Sequence, residues 1–152
     1  MQMERALKLS ICSKFLIVGG IIAAATACWH LLCILGGPSW YAFARAPHIV
    51  VKSAREGTIL APVGAIAIAS LMLVCTIYSF SGAGLIKKIP LLKSALITIS
   101  IICLARALVT VPYLIQGKLD MWNLIAGFGW FFVGICFFMG AIEQVFLKSN
   151  NV

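Results

Sequence analysis

The sequence predicts an all-α integral membrane protein: a four-transmembrane-helix up-down bundle with an interfacial amphipathic segment in its first outer loop. Three observations predict it. Of the 152 residues, 62% are apolar, against roughly 45–50% in ordinary soluble domains. Charged residues make up 11%, under half of the usual share of about 25%, so the charged surface a soluble fold needs is missing. Finally, four apolar runs each reach the roughly 20 residues that a helix rising about 1.5 Å per residue needs to cross a hydrocarbon core. Residues 1–152 therefore read as a single membrane domain.

The first span covers 15–36, FLIVGGIIAAATACWHLLCILG, and Gly36-Gly37-Pro38 ends it. Its basic start resembles a signal peptide, but the apolar stretch continues through Trp29, Leu31 and Leu32 to Leu35, longer than a signal core, so a retained helix is expected. The only sizeable loop follows, Gly36 to Thr58. Trp40, Tyr41 and Phe43 suit the bilayer interface. Pro47 can open a short helix in which Ile49 and Val50 oppose Lys52, Arg55 and Glu56, an amphipathic segment fit to lie on the membrane surface. The second span covers 59–80, and Ser81-Gly82-Ala83-Gly84 reads as its terminating turn rather than a phosphate loop, since no GK[ST] follows. The third covers 94–115 and the fourth 122–147.

Small residues on these spans permit close helix approach, which matters where lipid removes the hydrophobic drive between helices. Gly20 and Ala24, then Ala61, Ala65 and Ala69, then Gly127, Gly129, Gly134 and Gly140 are expected to face partner helices. Most of the fourth span's aromatic residues, among them Phe128, Trp130, Phe131, Phe132, Phe137 and Phe138, are expected to face lipid.

The net charge of +8 comes from twelve Lys and Arg against four acids. These cations clump at span ends, as topology signals and anionic-lipid contacts do, and form no aromatic-interleaved patch able to track nucleic acid. Arg5, Lys8, Lys14, Lys87, Lys88, Lys93 and Lys148 fall on one side; Arg45, Lys52, Arg55 and Lys118 fall on the other. The bias predicts both termini in the cytoplasm.

Arg106 is the candidate functional residue. It sits near the middle of the third span, where a charge costs roughly 2.5–3.5 kcal/mol and calls for a partner or a wet cavity. Cys103, Thr110 and Tyr113 lie on its side at i−3, i+4 and i+7, a polar stripe toward the outer surface. Pro112 frees the carbonyl of Leu108 on the same half. Glu56, Asp120 and His30 are possible companions at the outer level, while Glu143 lies toward the other end of the fourth span. The cluster Arg106, His30, Glu56, Thr110 and Tyr113 reads either as a brace for the third span or as a site for an anionic or polar ligand.

Other chemistry finds no constellation. The six cysteines lie in or beside apolar runs without a CxxC, and read as small hydrophobes. His30 has no second ligand at i+3 or i+4, so no metal is expected. No HExxH, GxSxG, P-loop or GxGxxG occurs, and no enzyme activity, catalytic residue or cofactor is expected.

Glu56-Gly57-Thr58, the stretch from Tyr78 to Ile99 (YSFSGAGLIKKIPLLKSALITI) and LARALVTVP from Leu104 to Pro112 carry a family likeness. They resemble a group of small four-helix bacterial inner-membrane proteins in which an aromatic-SGAG turn precedes a basic-Pro-Leu-Leu segment and an Arg follows in the next helix. The resemblance implies a bacterial inner-membrane location and no particular chemistry. The overall shape is also similar, by topology alone, to DoxX-like proteins. Two functions then stand as expectations. The first is a non-catalytic accessory or assembly partner that meets another membrane protein, or further copies of itself, through Gly/Ala-rich helix faces. The alternative is a small transporter or lipid- or anionic-ligand-binding protein using Arg106.

Overall fold

A computed structural model describes residues 10–117 and 120–147, and the topology cations Arg5, Lys8, Lys118 and Lys148 lie outside them. The described residues form helices α1 (Ile11–Gly36), α2 (Pro38–Phe43), α3 (His48–Glu56), α4 (Leu60–Ala83), α5 (Leu92–Leu108), α6 (Val111–Ile115) and α7 (Met121–Ile142), with a π-helical turn at Glu143–Leu147. Among the described residues, four stretches are long and apolar enough to cross a membrane: Ile11–Gly36, Leu60–Ala83, Leu92–Ile115 and Met121–Val145. Between 17% and 33% of each is buried within the chain, so most of their apolar surface needs a solvent other than water. These properties fit a multi-pass integral membrane protein.

The helix ends follow from local chemistry. α1 begins four residues before the expected start because Ser10 caps it, its Oγ accepting the Ser13 N–H at 2.9 Å. Gly37 at φ 68° and Pro38 at the start of α2 turn the chain after α1. Gly57 closes α3 in the left-handed region, and Gly84 at φ 81° follows the last residue of α4. In the third span Pro112 has no N–H to give to Leu108, and the helix breaks at Val109–Thr110.

The chain divides into two compact units, and α1 and α4 each contribute a segment to both. The first unit comprises residues up to Gly20 and those from Ile77 onward. Its packing is knob-and-notch. Leu16 is fully buried, and a Cβ on Gly140 would lie 2.3 Å from its Cγ, while one on Gly82 would lie 2.9 Å from its Cδ1. Leu104 fills the notch at Gly134 in the same way. Buried hydroxyls then cross-link backbones: Ser79 donates to the Leu16 carbonyl, and Ser100 donates to the Gly134 carbonyl at 3.0 Å. Gly20, Gly127, Gly134 and Gly140 thus do face neighbouring side chains. Gly129 does not: it is exposed, and a Cβ there would meet nothing within 4 Å. On α7, Phe128, Phe131, Phe132 and Phe138 are exposed, but Phe137 is fully buried.

The second unit, Ile21–Thr76, has its own core of Cys33, Tyr41, Ala61 and Ala65. Val50, Val51 and Ala54 of α3 pack against that core, while Lys52, Arg55 and Glu56 are exposed, which gives α3 its two-sided character. Ser53 is buried and accepts the Ala61 N–H at 3.0 Å, so a residue of α3 caps α4. Trp29 stacks on Trp40 at 5.4 Å and meets Phe43 at 6.0 Å. Of the three aromatic residues assigned to the interface, Trp40 and Phe43 are exposed but Tyr41 is in the core. Burial pushes the Tyr41 phenol pKa above its ordinary range, with the Cys33 thiol adding to the effect.

Candidate functional site

α5 and α7 pack side by side, and their contact line runs from Ser100, which donates to the Gly134 carbonyl, to Thr110 just beyond α5, which meets Gly127. Arg106 falls one step off this line. It is exposed, and its guanidinium carbon stands 5.9 Å from the centre of the Trp130 ring on α7. The ring's negative face attracts the cation, an interaction of about 0.5–1 kcal/mol when exposed and more when dry. An aromatic ring supplies no full counter-charge, however.

The acids of the described residues are engaged elsewhere. Asp120 caps α7, its Oδ1 accepting the Asn123 N–H at 2.8 Å. Glu56 lies 3.8 Å from Lys52, one turn away on α3. Glu143 accepts from Ser10 Oγ at 2.7 Å and Ser13 Oγ at 3.3 Å. Among the described residues, no carboxylate pairs with Arg106.

The rest of the expected cluster is distributed. Thr110, one turn beyond Arg106, packs against Gly127 on α7, where an added Cβ would lie 2.6 Å from its hydroxyl. Tyr113 is exposed on α6. Cys103, the inner member of the stripe, is buried. His30 and Glu56 belong to the second unit. His30 Nδ1 lies 2.8 Å from the Thr26 carbonyl, and since a carbonyl only accepts, that nitrogen carries the proton.

An apolar cleft of about 430 Å³ opens along the same pair of helices, lined by Leu104, Leu108 and Val111 on one side and Leu124, Phe128 and Phe131 on the other. At about 100° of turn per residue, Arg106 sits on the opposite flank of the seam from Leu104 and Leu108. The chain thus presents an apolar cleft on one flank and a cation backed by indole on the other.

A second polar cluster was not anticipated as a site. Glu143 and Gln144 are both buried, in the π-helical turn after α7. Gln144 donates through Nε2 to the Gly82 carbonyl at 2.8 Å, and Glu143 joins the capping serines of α1. Two signals in the sequence pointed there: Ser10 and Ser13 just before an apolar run, with cap spacing, and an adjacent acid and amide inside the last turns of a span. Its geometry is that of a clamp joining the start of α1 to the end of α7.

No family model, no curated protein and no solved structure matches the chain.

Proposed function

We propose that this chain is a non-catalytic protein of the bacterial inner membrane that binds an anionic amphiphile, lipid or ligand through Arg106. In this reading the four spans run up and down with both termini in the cytoplasm, and α3 lies on the outer surface. The observation that carries the proposal is the charge balance at Arg106. A cation at membrane depth needs a counter-charge or water, and the described acids are bound to Ser10 and Ser13, to Lys52 and to the start of α7. No described acid supplies the negative charge, and in this reading a bound ligand supplies it. Trp130 holds the guanidinium in place for it.

Binding of a dansyl-labelled fatty acid to the full chain in phosphatidylcholine nanodiscs tests this reading. Arg106→Gln is expected to weaken binding about ten- to a hundredfold, the range of a charged hydrogen bond of about 1.5–3 kcal/mol. Arg106→Lys should recover part of it. Equal affinities for the wild-type chain and Arg106→Gln would refute the proposal.

A second reading, an accessory or assembly partner of another membrane protein or of its own copies, is favoured by two helical glycines that the chain leaves unused. Cβ atoms at Gly64 and Gly129 would meet nothing within 4 Å, whereas close helix approach is the usual use of such residues in a bilayer. Gly129→Leu and Gly64→Leu would abolish oligomer or partner recovery under this reading and leave it unchanged otherwise.

A further inference from the structure

We propose that the loop between α4 and α5 is a binding site for the phosphate headgroup of an anionic membrane lipid, with Lys88 and Lys93 as its cationic contacts. Lys87, Lys88 and Lys93 crowd into this short connection between two spans, and all three are exposed. Among the described residues, no carboxylate pairs with any of them. Three like charges this close repel one another, so the folded loop carries an unbalanced field that an anion relieves.

The loop is also built, which a merely basic connector need not be. Ser81 is buried at the end of α4, and its hydroxyl serves both roles: it donates to the Lys87 carbonyl at 3.1 Å and accepts the Ile89 N–H at 3.1 Å. The Tyr78 hydroxyl reaches the Pro90 carbonyl at 3.4 Å. These bonds fix the backbone that carries the lysines. Behind it opens a cleft of about 300 Å³ whose polar lining is Lys88, Lys93, Ser94 and Gln144, with Ile89 and Leu92 among its apolar residues. Gln144 is itself held by its bond to the Gly82 carbonyl.

The mixed lining selects a lipid over a free anion. Inorganic phosphate would meet only Lys88, Lys93 and the Ser94 hydroxyl, whereas a lipid offers its phosphate to them and the first carbons of its acyl chains to Ile89 and Leu92. The location agrees, since a loop joining two spans lies at the membrane surface, where each lysine contributes about 1 kcal/mol toward anionic lipid. The charge bias assigns this loop to the cytoplasmic side.

The test is retention of phosphatidylglycerol by the full chain in mixed dodecyl maltoside micelles, followed by native mass spectrometry. Lys88→Gln/Lys93→Gln should weaken retention about thirtyfold, two lysines at about 1 kcal/mol each with tenfold per 1.4 kcal/mol. Ser81→Ala keeps every charge but removes both bonds that hold the loop, and should weaken retention at least about fivefold, the worth of one hydrogen bond. Lys14→Gln, an exposed lysine outside the loop, should leave it unchanged. Equal losses from Lys14→Gln and the double variant, or no loss from Ser81→Ala, would show a diffuse charge effect and overturn the site. Displacement of the lipid by an equal concentration of inorganic phosphate would overturn the lipid assignment.

Discussion

Gly140→Ala isolates the packing that joins α1 to α7. The new Cβ would lie 2.3 Å from Leu16 Cγ and 2.4 and 2.5 Å from its two methyl carbons. Ordinary carbon contacts need about 3.5–4.0 Å, so Leu16 or α7 must move by roughly 1.2–1.7 Å. Leu16 has little room to give, being fully buried, with Gly82 also against its Cδ1. Overpacking of this kind destabilises by about 1–3 kcal/mol. Alanine's better helix propensity offsets about 1 kcal/mol of that. The net loss should therefore be up to about 2 kcal/mol, read as a lower midpoint in a dodecyl sulfate unfolding titration of the protein in mild detergent. Leu16→Ala alone leaves a cavity and should cost about 2–5 kcal/mol. In Gly140→Ala/Leu16→Ala the new methyl enters that cavity, so the double variant should be more stable than the two losses added, by about 0.5–3 kcal/mol. Gly129→Ala, with open space around it, serves as the control and should not destabilise. Strict additivity of the pair, or equal loss at Gly129 and Gly140, would refute the knob-and-notch account.

Three further outcomes follow from single contacts. Ser100→Ala removes the bond to the Gly134 carbonyl and should cost about 0.6 kcal/mol, the average for polar pairs in membranes, in the same titration. Ser53→Ala strips the cap from Ala61 and should lower stability by about 1 kcal/mol, while Ser39→Ala, on an exposed hydroxyl, should not. Tyr41→Phe deletes a buried hydroxyl that has no hydrogen-bond partner among the described residues and should be neutral or slightly stabilising at neutral pH, because an unpaired polar group is expensive to bury. Tyr41's folded-state pKa is raised, so the stability it contributes is present below the phenol's ordinary pKa of about 10 and is lost as pH rises through the folded value. Unfolding midpoints should fall more steeply above that pH in the wild-type chain than in Tyr41→Phe.

The order and extent of the helices were legible because they depend on local chemistry. Twenty apolar residues, a Gly-Gly-Pro, an SGAG turn or a Pro at position 112 act through their own backbone. Orientation around each axis was not. A membrane helix is apolar on every side, so periodicity, which reveals the buried face of a soluble helix, is silent here. That is why Gly129 and Gly134 looked alike in the sequence, though one is open and the other holds Leu104. It is also why Phe137 could not be told from Phe138. Tyr41, placed by residue type at the interface, lies on a six-residue helix too short to show a period, and is in a core. For the candidate site, the sequence found the cation but not its neighbour. Trp130 was grouped with the lipid-facing aromatic residues, and only the packing of α7 on α5 brings it to Arg106. For the pairing of Glu143 with Ser10, the sequence marks each end locally but carries no spacing that joins the two.

The central claim, that the counter-charge of Arg106 comes from outside the chain, is tested most directly by ligand-dependent stability. A ligand that binds only the folded state adds about 2.7 kcal/mol at a hundred times its Kd. Addition of fatty acid in zwitterionic micelles should therefore raise the unfolding midpoint of the wild-type chain and of Lys88→Gln/Lys93→Gln, and leave that of Arg106→Gln where it was. An equal rise in Arg106→Gln would contradict the claim.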